Sequence, residues 1–149
     1  MTTPAPPGVP PGFTPLGRGG PFLQLFGPLY GKKTAASTII GLRVEEKHLN
    51  TGGVAHGGML VTLADSALGI ALWDALPPGG RMVTVSLSTD FVEAARPGEF
   101  VEAHVDVQKV GKRLAFASCF LLVGERRILR ASGVFAVLPS QRPKEGFEG

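Results

Sequence analysis

Residues 57–73 read "GGMLVTLADSALGIALW" and carry a single charge, Asp65. With 18% of the chain charged, roughly three charges would be expected in such a stretch. Met59, Leu60, Val61, Leu63, Ala64, Leu68, Ile70, Ala71, Leu72 and Trp73 cover most of a helical circumference. A helix apolar on nearly all sides must be enclosed by the rest of its chain. "PPGG" after Leu76 supplies the stop, so a helix of about five turns is predicted from Gly57 to Leu76. Its one departure is a stripe of small or polar residues: Gly58, Thr62, Asp65, Ser66 and Gly69. Spacings of three and four place them on one face.

Two readings of that stripe compete. On the first it is the solvent side, and Asp65 is a solvated charge. Solvated helix faces normally carry Glu and Lys in i,i+4 pairs, and none is present. On the second, the glycines admit another backbone or a ligand close to the helix, and Asp65 is a functional acid. The preceding loop, "NTGGVAHGG", favours the second. A helix N-terminus presents unpaired N–H groups at the positive end of its dipole. "HGG" there lets a carbonyl oxygen approach the backbone unobstructed, as an oxyanion site requires. Gly57 and Asp65 are separated by about 12 Å along the axis, too far to act on one carbonyl within one chain. Two antiparallel subunits would bring one chain's HGG turn near the other's Asp65, so the motif asks for a dimer with composite sites.

The segment before the helix reads as one strand over residues 35–49, weakened by Gly41, preceded by a short helix in "FLQLFGPLY" that ends at Gly27 and Pro28. Downstream the pattern is strand after strand. In "MVTVSLSTDF", Val83, Val85, Leu87 and Phe91 share one face, with Thr84, Ser86, Ser88 and Asp90 on the other. Val101, Ala103, Val105 and Val107 alternate with polar residues, and "KVGKR" and "GERR" turn the chain into two further strands. The fold class is α+β: one long helix on an antiparallel sheet. Residues 1–21, dense in Pro and Gly, are expected to be a disordered or extended lead-in. Residues 22–138 form the single domain, and 139–149 a flexible tail.

The 149 residues, 44% of them hydrophobic, suffice for one globular core. A net charge of +3 without a clustered basic stripe argues against nucleic acid as a partner. Neither a signal peptide nor an uninterrupted apolar run of about 18 residues is apparent, so no membrane association is expected and the cytoplasm is the default. Cys119 lies in the apolar run "RLAFASCFLLV" and reads as a core thiol. His48, His56 and His104 lack metal-ligand spacing, so no metal is expected, and His48 reads as a structural loop residue. Lys109, Lys112, Arg113, Arg126, Arg127 and Arg130 gather near the hairpin turns, either as solubility charges or as phosphate contacts.

The string "HLNTGGVAHGGMLVTLADSALGIAL", with its H-x-N, G-x-x-HGG and L-A-D elements, resembles the hot-dog fold thioesterases of the phenylacetate-pathway (PaaI-like) branch. The similarity continues through "VTVSLSTDFVEAARPGEFVEAHVDVQKVGKR" and spans roughly residues 22–138. It implies a hot-dog fold, a long central helix wrapped by an antiparallel sheet of five to six strands. It also implies a homodimer or homotetramer with shared active sites, acting on acyl-coenzyme A, which is substrate rather than cofactor. Carried over by position, Asp65 matches the carboxylate that activates water or attacks the thioester. Gly57 matches the backbone N–H donor from the facing subunit, and Asn50 and His56 match polar residues flanking the carbonyl. Thr84 stands where some members place a hydroxyl that orients the water; Thr in place of Ser is a mild departure. The acyl group, aryl or fatty, is not legible, since it depends on how Phe91, Trp73 and Leu68 fill the subunit interface. A hot-dog hydratase or dehydratase and a non-catalytic acyl-CoA binding module are the competing readings.

Overall fold

In the computed structural model, which describes residues 8–139, the apolar run is a continuous helix against a single antiparallel sheet. The elements are β1 (Thr14–Pro15), α1 (Gly20–Phe26), β2 (Leu29–Lys33), β3 (Thr38–Arg43), α2 (Gly57–Ala75), β4 (Arg81–Phe91), β5 (Phe100–Val110), β6 (Leu114–Val123) and β7 (Arg126–Leu138). Sheet order is β1-β2-β3-β5-β6-β7-β4, so the strand that follows the helix in sequence closes the far edge. α2 packs across β3 to β7 and ends where Leu76 N–H bonds the Trp73 carbonyl, one residue short of the expected limit.

The alternation expected for the later strands is realised in large part; in β5 it fades beyond Val105, since Val107 is exposed next to a break in register. Ala115, Ala117, Cys119 and Leu121 of β6 are buried, as are Val101 and Ala103 of β5 and Ala131 and Phe135 of β7. Many of these are alanines, and Ala64 and Ala67 of α2 are also fully buried. Small residues on both layers let the helix axis approach the sheet closely, which sustains dense packing without large side chains. Burial pushes the Cys119 thiol up to about 12, so it is an inert core group as expected.

Three expectations shift. The strand anticipated over 35–49 is confined to Thr38–Arg43, because Glu46–His48 winds into a single 3₁₀ turn. His48 holds that turn: its Nδ1 accepts from Glu45 N–H at 2.9 Å, and its Nε2 lies 2.7 Å from the Phe26 carbonyl, positioned to donate. Buried and bonded at both nitrogens, it is structural. The sheet has seven strands rather than five or six, because β1 and β2 extend its β3 edge. The lead-in boundary expected at residue 21 falls inside α1. Phe13 is buried edge-on against Phe100, and that contact holds β1 on the sheet. Gly41 makes room for both rings, since a Cβ there would sit 2.4 Å from the Phe100 ring. Residues 1–7 of the expected lead-in and 140–149 of the expected tail lie outside the described residues.

One ion cluster ties the sheet to the loop that precedes β5. Arg126 bonds the carboxylates of Glu99 and Glu93 and the Ala94 carbonyl, fixing the 92–99 loop to the start of β7. The adjacent Ala95 carbonyl accepts from Ala55 N–H at 2.8 Å, immediately before the HGG turn. Burial pushes the Glu99 carboxyl up. The hydrogen bonds from Arg126 and Arg96 N–H, with the two guanidinium charges, outweigh that and hold it below its usual range. A carboxyl lowered on folding stabilises the fold above its unfolded value of about 4.3, and the contribution is lost as pH falls through the folded value. Glu99→Gln is therefore expected to lower Tm near neutral pH and to converge with the parent in acid. Parallel Tm curves down to strong acid would remove the cluster from the pH dependence.

Candidate active site

The stripe on α2 faces a cavity of about 1080 Å³ bounded by α2, β4 and the segment running into α1. Thr62, Asp65, Ser66 and Gly69 all line it, as the helical spacing requires. The two hydroxyls are turned back on their own helix: Thr62 Oγ1 donates to the Gly58 carbonyl at 2.9 Å and Ser66 Oγ to the Thr62 carbonyl at 2.7 Å. Asp65 is different. Its Oδ1 accepts from Thr84 Oγ1 of β4 at 2.8 Å, a bond between helix and edge strand that fixes the carboxylate's rotamer. Oδ2 has no partner among the described residues.

That bond corrects the expected phase of β4. Simple alternation puts Thr84 on the face opposite Leu87 and Phe91, yet all three project toward the helix. The cause is a β-bulge: Thr84 pairs with Phe135 and Ser86 with Val134, so Val85 has no counterpart on β7. One extra residue reverses the alternation beyond it. Leu87 lines the cavity with Thr84, and Phe91 lies over Gly57, where an added Cβ would come within 3.1 Å of its ring.

The entrance to α2 is built from the loop outward. Asn50 Oδ1 accepts from Gly52 and Val54 N–H at 2.9 and 3.3 Å, folding "NTGG" into a tight turn. His56 caps the helix: its Nδ1 accepts from Gly58 N–H at 2.9 Å. With the Nδ1 lone pair engaged, the neutral ring carries its proton on Nε2 and presents a donor. The Gly57 N–H, first in the helix, has no partner among the described residues. Asn50, His56 and Gly57 thus form one group at the helix start, and Asp65 and Thr84 a second, about two turns further along.

Of the residues anticipated to set pocket depth, Trp73 lines the cavity, whereas Leu68 is fully buried beneath Gly133 and does not. Arg18, Phe22 and Leu23 form the opposite wall, which the sequence does not reveal: Arg18 comes from the Pro/Gly-rich approach, and Phe22 and Leu23 from a short helix whose packing partner local pattern does not show. Arg18 Nη1 bonds Asp74 Oδ1 at 2.9 Å and pins that approach to the far end of α2. Among the basic residues near the turns, Arg126 is held by Glu99, Arg127 lies over the Phe120 ring and Arg130 pairs with Asp90. Partners on the sheet and on the loop that precedes β5 explain these three.

Comparison with known proteins is consistent in family. The sequence profile of the Thioesterase superfamily matches residues 52–129. The chain is 49% identical over 128 residues to the Pseudomonas aeruginosa protein named "Putative esterase PA0474", covering 85% of this chain and 96% of that one. It is 35% identical over 98 residues to acyl-coenzyme A thioesterase 13 of Homo sapiens, covering 62% and 69% of the two chains. Among solved structures, a point mutant of the phenylacetic acid degradation protein PaaI from Thermus thermophilus superposes with a TM-score of 0.71. That match has 27% identity and covers 80% of this chain and 100% of the other.

Proposed function

The chain belongs to the thioesterase superfamily, is a hot-dog thioester hydrolase of the PaaI-like type, and on that premise we propose that it hydrolyses acyl-coenzyme A at Asp65. The observation that carries this reading is the Asp65–Thr84 pair in the cavity wall. Thr84 occupies Oδ1, which leaves Oδ2 to take a proton from water or to add to the thioester carbonyl. Either route passes through a tetrahedral oxyanion and expels the thiolate of coenzyme A; on the second, water then cleaves the acyl-aspartyl anhydride to free the acid and restore the carboxylate. A thioester is activated enough that one carboxylate and one oxyanion donor suffice, so the chemistry requires neither a metal nor a cofactor.

The donor in this reading is the Gly57 N–H of a second subunit. Asp65 lies about 12 Å along α2 from the Gly57 of its own chain, so a complete site takes one group from each of two antiparallel helices. A homodimer is the smallest assembly that satisfies this, and a homotetramer built from two such dimers satisfies it equally. Asn50 and His56 belong to the donor half, beside the carbonyl. The His56 geometry supports hydrolysis over hydration: a ring whose Nδ1 caps the helix and whose Nε2 carries the proton is a donor, not the base a dehydratase needs. The human relative's name, an acyl-coenzyme A thioesterase, supports the substrate class. Incubation with aryl- and fatty-acyl-CoA substrates is expected to release free thiol. Enoyl product without thiol would favour the hydratase, and binding without turnover a sensing module.

A further inference from the structure

Gly69 has no structural reason to be a glycine. It lies in the interior of α2, where glycine destabilises relative to alanine, and its φ is not in the left-handed region. A Cβ built on it meets nothing within 4 Å, whereas one on Gly41 or Gly133 would strike an aromatic ring. What lies over Gly69 is the cavity. It sits one turn beyond Asp65 on the same face, about 6 Å along the axis, and Trp73 follows one turn later. Trp73 is 50% exposed and Phe22, from the opposite wall, 64% exposed; both rings line the same cavity. The Arg18–Asp74 pair lies at that end.

We propose that Gly69 is a specificity-determining residue: the acyl group passes over its bare Cα, and its apolar end rests against Trp73 and Phe22. This rests on the acyl-CoA reading above and adds the substrate class. From Asp65 to Trp73 the trough measures about 12 Å along the helix, so it fits a medium-length acyl chain and is wasted on acetyl. The apolar walls reward each added methylene that they desolvate. A side chain at position 69 would narrow the trough between the reacting carboxylate and the aromatic end, penalising long acyl groups more than short ones. In the antiparallel pairing that sets the partner subunit's Gly57 against Asp65, the partner's helix starts there and runs back toward this chain's Gly57, so it does not cover Gly69, whose side of the trough is walled by this chain's own α1 and β4.

The test compares the parent with Gly69→Ala and Gly69→Leu on octanoyl-CoA and acetyl-CoA, with Tm and oligomer size measured alongside. The parent is expected to prefer octanoyl-CoA. Gly69→Leu should lower the octanoyl-to-acetyl ratio of kcat/KM by about tenfold or more, and Gly69→Ala by less. Tm should not fall in Gly69→Ala. A ratio unchanged in Gly69→Leu, or a parent that prefers acetyl-CoA, overturns the assignment while leaving the thioesterase reading intact. A lower Tm in Gly69→Ala, or dissociation of the assembly in either variant, overturns it in favour of a structural glycine. Absence of thiol release by the parent from any acyl-CoA removes the underlying reading, and the assignment with it.

Discussion

Asp65→Asn is expected to slow thiol release from acyl-CoA by roughly 10² to 10⁴-fold while leaving fold and assembly unchanged. The substitution is close to isosteric, and the amide oxygen can still accept from Thr84 Oγ1, so the link between α2 and β4 survives. What disappears is the second carboxylate oxygen as a base or nucleophile. Loss should appear in kcat more than in KM, because the carboxylate acts in the transition state and the cavity that binds the acyl group is unaltered. Near-parental turnover in a correctly folded variant would exclude Asp65 from the chemistry, whichever of its two roles is considered.

The second large effect is a gain. Gly57→Val should be inactive on its own, since a side chain there crowds the donor N–H and would press on the Phe91 ring. Mixed with Asp65→Asn under conditions that exchange subunits, it should recover activity. If each site takes its N–H from one chain and its carboxylate from the other, a mixed dimer holds one site with both lesions and one with neither. Recovery toward half the parental value per mixed dimer is the expected result. Verified exchange with no recovery would mean that each subunit carries its own complete machinery. Gly57→Ala, a smaller intrusion against Phe91, provides the same test if the valine variant folds poorly.

How much of this is legible in the sequence differs by element. Charge depletion exposes α2, because a helix enclosed on most sides cannot carry solvated groups, and the stripe follows from its spacing. β6 is legible because its buried face keeps strict alternation, and β5 and β7 because most of theirs does, interrupted by irregularities near Gln108 and Ile128. β4 is not, since the bulge at Val85 leaves no mark in composition: valine there continues the apolar alternation it physically interrupts. β1 is hidden by proline and glycine, although one aromatic, Phe13, is the clue that a piece of the approach is buried. The helical half of the candidate site comes from local pattern. The wall formed by Arg18, Phe22 and Leu23 does not, because only tertiary contact brings residues so far apart in sequence to one cavity.

The bulge also changes what counts as information in the edge strand. Val85 is more than half exposed and has no counterpart on the neighbouring strand, so its side chain is close to dispensable. Its peptide unit is not. Removing that one residue would restore an ordinary ladder and turn over either Thr84 or the Leu87–Phe91 set, because strand alternation has a period of two. The acid would lose its hydroxyl partner, or the helix entrance its aromatic cover. Drift in the identity of residue 85 is therefore cheap, while a change in chain length at that point severs the two ends of the site from each other. A library built on this strand should vary the letter at 85 freely and hold the count fixed.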